Sequence, residues 1–139
     1  AVSLAVPSFA SEPVSDQIKQ FEDGSYIVVT IEYDQPQDGI SCFADRSITS
    51  GTKIYTYCDN SDKALWEFRV HGTFSYNGVT ASAIGASYSY DIYDTNWSFV
   101  DASATYSGAT ATATGRFKRL LLPNTVTISL TCSPTGVLS

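Results

Sequence analysis

The stretch from Ala64 to Tyr90 constrains the fold of this chain more than any other part of the sequence. Apolar residues stand at alternate positions before an Asn77-Gly78 pair, namely Trp66, Phe68, Val70, Phe74 and Tyr76. A period of two is typical of a strand with one buried face, and Asn-Gly is typical of a type I′ hairpin turn. We therefore predict an antiparallel hairpin with a buried face, and the expected cross-strand pairs are Phe74–Ala81, Val70–Gly85 and Phe68–Ser87.

Similar patterns in the rest of the chain predict an all-β fold. Ser25–Tyr33 alternates with Ile27, Val29, Ile31 and Tyr33 on one face. A second hairpin is expected around Ser107-Gly108, with a thin inner face in which the pairs are Ala104–Ala111, Ala102–Ala113 and Val100–Gly115. Thr125–Cys132 alternates again. About seven strands separated by short turns predict an antiparallel two-layer β-sandwich.

The N-terminal part of the sequence differs from the rest. Residues 1–10 form an apolar run with small residues at positions 8 and 10, as before a signal-peptide cleavage site, although a first strand or an irregular arm is an alternative. Residues 11–24 are expected to form an N-terminal arm, with a short helix near Glu12–Glu22, and residues 25–139 the sandwich domain. A signal remnant predicts a secreted or cell-surface protein in an oxidising environment.

Composition limits the partners. The chain of 139 residues has a formal net charge of −6 and a pI near 4.4. An acidic surface repels phosphate backbones, so nucleic acid is an unexpected partner. No apolar run reaches the length of a membrane span, so we predict none.

The cysteines suggest one disulfide. A hairpin that joins Ile40–Ile48 to Gly51–Cys58 through Thr49-Ser50-Gly51 would place Cys42 opposite Cys58. This register predicts a Cys42–Cys58 disulfide and a free, buried Cys132. The alternative is three reduced cysteines that behave as small apolar side chains.

No catalytic or metal-binding pattern is visible. His71 is the only histidine and lies among Glu67 and Arg69 on the polar face of its strand, without a nucleophile motif. Two groups of acidic and amide side chains lack the spacing of a calcium loop, namely Asp59 with Asp62 and Asp91 with Asp94 and Asn96. We predict no enzyme activity, no metal and no cofactor.

Aromatic and threonine side chains are the candidate recognition surfaces. Tyr88 and Tyr90 share a strand face with Ile84, opposite the core face expected for that strand. Together with Tyr93 and Trp97 they are candidates for an exposed platform that stacks on sugar rings, and a second buried layer is the alternative. Rows of threonine at 110, 112 and 114 and at 125, 127 and 131 indicate a solvated β face, with an ordered-water surface as the alternative.

Several segments from Gly51 onward resemble small secreted proteins of Gram-positive bacteria, a group without an assigned activity. The segments are GTKIYTY at 51–57, ALW at 64–66, GTFSYNG at 72–78, NW at 96–97, SGATATA at 107–113 and LTCSPTGVLS at 130–139. The resemblance implies export and a β fold, and it supplies no functional residues. Members of the group often have a cysteine near the position of Ala83 that can pair with the C-terminal cysteine. The resemblance therefore implies that Cys132 lacks this partner here.

Together these observations predict a non-enzymatic, exported domain for surface recognition or adhesion, whose partner is an extracellular protein or a glycan. A carbohydrate-binding module that uses exposed Tyr and Trp is one alternative. A hydrolase without a recognisable motif is the other.

Overall fold

The fold is all-β, as the alternating patterns predict. A computed structural model describes residues 14–34, 47–119 and 122–139, and the part it describes contains no helix. Eight strands are present among the described residues, rather than about seven. They are β1 (Val14–Gln20), β2 (Tyr26–Tyr33), β3 (Ser47–Cys58), β4 (Ala64–Tyr76), β5 (Ala81–Ile92), β6 (Trp97–Ser107), β7 (Thr110–Arg119) and β8 (Leu122–Thr131). Strand β1 lies where a short helix was expected. The signal-like residues 1–10 lie outside the described part of the chain.

The strands form two antiparallel meanders that face each other. The first sheet has the order β1-β2-β3-β4-β5 and the second has the order β6-β7-β8. The chain passes between the sheets only once in the described part, at residues 93–96. The prediction of an antiparallel two-layer sandwich is therefore confirmed.

The inner face of β4 is the centre of the core. Trp66, Phe68, Val70 and Phe74 have exposed fractions of 3%, 0%, 0% and 0%, which confirms that they point inward together. They meet fully buried side chains of the second sheet, which include Phe117, Ile128 and Leu130. The burial of these apolar side chains between the sheets is the main interaction that holds the two sheets together.

The thin face of the second hairpin packs against an aromatic ring of the first sheet. A Cβ atom placed on Gly115 would lie 2.8 Å from Cζ of Phe68. The register differs from the prediction by two residues, because Ala104 pairs with Ala113 and Ala102 with Gly115. The turn closes at Ser107 and Thr110, so its two central residues are Gly108 and Ala109 rather than Ser107 and Gly108.

The central hairpin also has a different register. A four-residue loop replaces the type I′ turn: Oδ1 of Asn77 accepts from the backbone N–H groups of Val79 and Thr80, and Gly78 is the only residue of the loop with positive φ. A β-bulge follows, because Thr73 pairs with Gly85 while Phe74 pairs with Ala83. Ile84 is left unpaired, and the bulge exchanges the two faces of β5 beyond it.

The predicted hairpin within residues 40–58 is wrong. Residues 47–58 form one continuous strand, β3, which pairs with β2 on one side and β4 on the other. Gly51 lies mid-strand rather than in a turn, and its Cβ would lie 2.6 Å from both the Glu32 carbonyl oxygen and Cδ1 of Leu138. Close packing with the C-terminal segment, and not turn geometry, is therefore what requires glycine there.

The two sheets differ in width, and this difference opens a cleft. In the described part of the chain, no Cα atom of β1 or β2 lies within 8 Å of a Cα atom of the second sheet. Two strands at the usual spacing leave roughly 10 Å of inner face that the second sheet does not cover. The cleft lies along the boundary, between β2–β4 and β8.

Candidate functional site

A cleft lies beside β8, between the two sheets. It has a volume of about 760 Å³. Its lining residues are Phe21, Glu22, Asp23, Ser25, Ile27, Val29, Tyr55, Tyr57, Trp66, Asn124, Thr125, Val126 and Thr127. The alternation of β2 places Ile27 and Val29 on its floor, and the short segment before β2 supplies the acidic rim. Clefts of about 300–1,000 Å³ with apolar walls and a few polar groups are typical small-ligand sites.

Three aromatic rings form one wall. Tyr57 stacks on Trp66 at 5.3 Å between centroids and 29° between planes. Phe21 meets Tyr57 edge-on at 6.1 Å and 70°, so these two rings form a corner. Trp66 stacks in turn on Phe117 of the second sheet at 4.4 Å and 5°, which fixes the wall to the core. Nε1 of Trp66 has no hydrogen-bond partner among the described residues. Because this atom is buried, a ligand in the cleft cannot reach it.

A chain of hydrogen bonds joins this wall to the rim. The Tyr57 hydroxyl donates to Oγ of Ser25 at 3.0 Å, and Oγ of Ser25 donates to Oδ1 of Asp23 at 2.5 Å. The backbone N–H of Ser25 donates to the same Asp23 oxygen at 2.9 Å. These two bonds from Ser25 lower the pKa of Asp23, so its carboxylate stays ionised at neutral pH.

The charged lining residues of the cleft are acidic. Glu22 and Asp23 are its acidic lining residues, and the described lining includes no Lys, Arg or His. Lys53 lies on the inner face of β3, and its Nζ donates to the Ser129 carbonyl oxygen at 3.1 Å. The negative charge is therefore at the Glu22–Asp23 end of the cleft, and Lys53 adds a positive charge between β3 and β8.

The predicted aromatic platform is not formed as expected. Beyond the bulge, Tyr88 pairs with Val70 and Tyr90 with Phe68, so both rings lie on the core side of β5, not on the opposite face. They keep exposed fractions of 39% and 38% at the sheet edge, where Tyr90 stacks on Phe99 at 3.9 Å and 10°. Trp97 is buried, with 7% exposed, so its ring does not belong to any exposed surface. The alternative of a second buried layer of aromatic rings therefore fits Trp97, whereas Tyr88 and Tyr90 are only partly covered.

Tyr93 lies apart from these rings, on the outer face of the first sheet. Its hydroxyl donates to Oε1 of Glu67 at 2.6 Å, and this bond, with some burial, raises the pKa of Tyr93 to about 12. Arg69 pairs with Glu67 at 3.2 Å and with Asp91 at 2.7 Å. The four side chains satisfy one another, so this group is a structural network on a polar face.

His71 also lies on that outer face, beside Asp34 and Ser50. Nε2 of His71 is 2.8 Å from Oδ2 of Asp34, and Oγ of Ser50 donates to the same oxygen at 2.5 Å. Burial of Asp34 is outweighed by its bonds to Ser50 and His71, which lower its pKa. In a catalytic triad the histidine bonds to the serine hydroxyl. Here both side chains bond to the carboxylate instead, so the hydroxyl is not activated.

Two of the three cysteines lie among the described residues. Cys58 and Cys132 are free, buried thiols, and burial raises the pKa of both. The register that supported a Cys42–Cys58 disulfide is absent because β3 is continuous, and Cys42 itself lies outside the described residues. Residues 14–34, 47–119 and 122–139 contain no group of three His, Cys, Asp or Glu side chains arranged to hold a metal ion.

The threonine rows do lie side by side on the outer face of the second sheet. Thr110 and Thr131 approach at 3.0 Å, and Thr114 and Thr127 at 3.3 Å, between their hydroxyl oxygens. Ser129 takes the place between Thr127 and Thr131, at 3.3 Å from Thr112. Because the hydroxyl groups bond to one another, the face is satisfied as a polar surface.

Comparisons with protein-family models, curated proteins and solved structures gave no match. The described residues include no helix long and apolar enough to cross a membrane. The fold and the cleft define a two-layer β-sandwich with one candidate small-ligand site. Phe21, Asp23 and Tyr57 could not be assigned to a site from the sequence, because residues 11–24 were expected to form only an N-terminal arm and because no local pattern encodes the widths of the sheets.

Proposed function

We propose that this chain is a non-enzymatic recognition domain that binds a small ligand in the cleft beside β8. The observation that supports the proposal is the cavity of about 760 Å³ with three rings on one wall and an apolar floor. Its walls are attached to the core through Trp66 and Phe117, so the site is formed without a ligand. An extracellular location is part of the proposal, and its support is the signal-like sequence of residues 1–10 together with the resemblance to secreted proteins.

A fragment screen monitored by amide chemical shifts of labelled protein tests this function. The expected result is a set of fragments that shift residues of β2, β3 and β8 together. Val126→Trp should abolish these shifts, because Val126 is a half-buried lining residue and the larger ring fills the cleft. Ile84→Trp is the matched control, since Ile84 is 48% exposed at the bulge of β5. Shifts that survive Val126→Trp, or no shifts at all, would overturn the proposal.

A carbohydrate-binding module is the second candidate, supported by the half-exposed Tyr88 and Tyr90 at the edge of the sandwich. A glycan array with a Tyr90→Ala variant tests it. Binding that depends on Tyr90 supports sugar stacking at this edge, and an array without hits counts against it.

A hydrolase is the remaining alternative, and the bonding of Ser50 and His71 to Asp34 gives it no support. A screen of hydrolase substrates with a His71→Ala control tests it. Activity that requires His71 would contradict the non-enzymatic proposal.

A further inference from the structure

The corner between Phe21 and Tyr57 lies next to an ionised carboxylate. The two rings meet at 70° with centroids 6.1 Å apart. Asp23 is joined to the Tyr57 hydroxyl through a single intervening atom, Oγ of Ser25. The faces of aromatic rings carry partial negative charge, and a carboxylate carries a full one. Both therefore favour a positive group in the same small volume.

The surroundings reinforce this preference. Glu22 adds a second acidic side chain at the rim, and the described lining contributes no cation. Asp23 already receives two hydrogen bonds from Ser25, which hold it in place and lower its pKa. The net charge of −6 for the whole chain attracts cations at longer range.

The floor of the cleft indicates the rest of the ligand. Ile27 and Val29 extend from the corner along β2, and Val126 faces them from β8. These three side chains are apolar, so an apolar arm of the ligand fits over them.

We propose that the cleft binds a small organic cation, with an alkylammonium group between Asp23 and the Phe21–Tyr57 corner and an apolar arm over Ile27 and Val29. This inference rests on the proposed function and adds the ligand class to it. The size of the cleft suits a small molecule rather than a protein surface.

Three probes that share a benzyl group test the inference by NMR titration. Benzyltrimethylammonium is the cation, neopentylbenzene replaces its nitrogen by carbon and is neutral, and phenylacetate is the anion. We expect the cation to bind at the cleft at least roughly fivefold more tightly than the neutral probe, with phenylacetate weaker than both. Salt should weaken the binding of the cation and leave that of the neutral probe unchanged.

Variants separate the charge from the rings. Asp23→Asn keeps an oxygen for the Ser25 bonds and removes the charge, so the cation should bind roughly three- to tenfold more weakly. Asp101→Asn makes the same charge change on the outer face of the second sheet, and should leave the affinity unchanged. Tyr57→Phe keeps the ring and should retain binding, whereas Tyr57→Leu should lose it. If Tyr57→Leu does not fold, the comparison of Asp23→Asn with Asp101→Asn tests the cation assignment by itself.

The outcomes distinguish this inference from the function on which it rests. Equal binding of the cation and its neutral isostere in the cleft would overturn the cation assignment and leave the binding function standing. So would an equal loss in Asp23→Asn and Asp101→Asn. If neither these probes nor any fragment binds the cleft, both proposals fail.

Discussion

Replacing Gly115 by alanine tests the packing of the two sheets directly. Its Cβ atom would lie 2.8 Å from Cζ, 2.9 Å from Cε1 and 3.2 Å from Cε2 of Phe68. The ring would have to retreat by more than half an ångström to reach ordinary contact. Phe68 is fully buried and is held edge-on by Phe117 at 5.8 Å, so it has no free space to enter. Overpacking of this kind costs about 1–3 kcal/mol of unfolding free energy.

Gly85→Ala is the matched control, because its Cβ would lie 3.8 Å from Cβ of Thr73, an ordinary contact. Neither glycine has a positive φ, so backbone strain does not distinguish the two changes. We expect urea unfolding to show a loss of about 2 kcal/mol for Gly115→Ala, equivalent to roughly 6–10 °C in Tm at this chain length. The change for Gly85→Ala should stay within about 0.5 kcal/mol.

A double-mutant cycle with Phe68→Leu identifies the clash as the cause. The shorter side chain should accept the new methyl group, so the double variant should lose less stability than the sum of the single losses, by about 1 kcal/mol. If Gly115→Ala is as stable as the unmodified chain, or if the cycle is additive, the packing of Phe68 against β7 is refuted.

Three further predictions concern groups with shifted pKa values. Because Cys58 and Cys132 are buried with raised pKa values, both should react slowly with a thiol reagent in the native state. A denatured sample that has not been reduced should show three reactive thiols. A count of one thiol would instead show that Cys58 or Cys132 forms a disulfide. The pKa of Asp23 in the folded protein lies below its ordinary value of 3.8. The stability that Asp23 contributes is therefore present above pH 3.8 and is lost as the pH falls through the folded pKa. In that pH range, the unfolding free energy of Asp23→Asn should change less with pH than that of the unmodified chain. Tyr93 titrates at about 12, and Glu67→Gln should bring its pKa, measured by ultraviolet difference against Tyr93→Phe, down toward 10.0; an unchanged value would show that the Glu67 bond is not the cause.

Strands β2, β4 and β8 can be predicted from local sequence because their residues alternate, whereas β1 was expected to be a helix and β3 a hairpin. Trp66, Phe68, Val70 and Phe74 face inward, as do Ile128 and Leu130 in the last strand, and the period of two is enough to say so. A thin alanine and glycine face opposite large rings could likewise be recognised, since layers need complementary volumes.

Registers and partners could not be predicted, because they depend on single residues in loops. The four-residue loop after β4 and the bulge at Ile84 moved Tyr88 and Tyr90 to the core side, although the alternation itself was interpreted correctly. A one-residue offset exchanges every side chain between faces, so an error of this size reverses a functional interpretation. A single residue also misled the prediction for residues 40–58, because Gly51 was interpreted as a turn residue although it lies within a continuous strand.

The unequal sheets connect the fold to the proposed binding. An uncovered strand face would normally expose its apolar residues, yet Ile27 and Val29 are only 9% and 6% exposed. The rim residues Phe21, Glu22 and Asp23 are exposed, so the cleft has a closed floor and an open mouth. A flat, exposed apolar face would suit a protein partner, whereas a narrow depression with a buried floor suits a small molecule. The two additional strands of the first sheet therefore provide a site that the core residues alone, between β3–β5 and β6–β8, would not form.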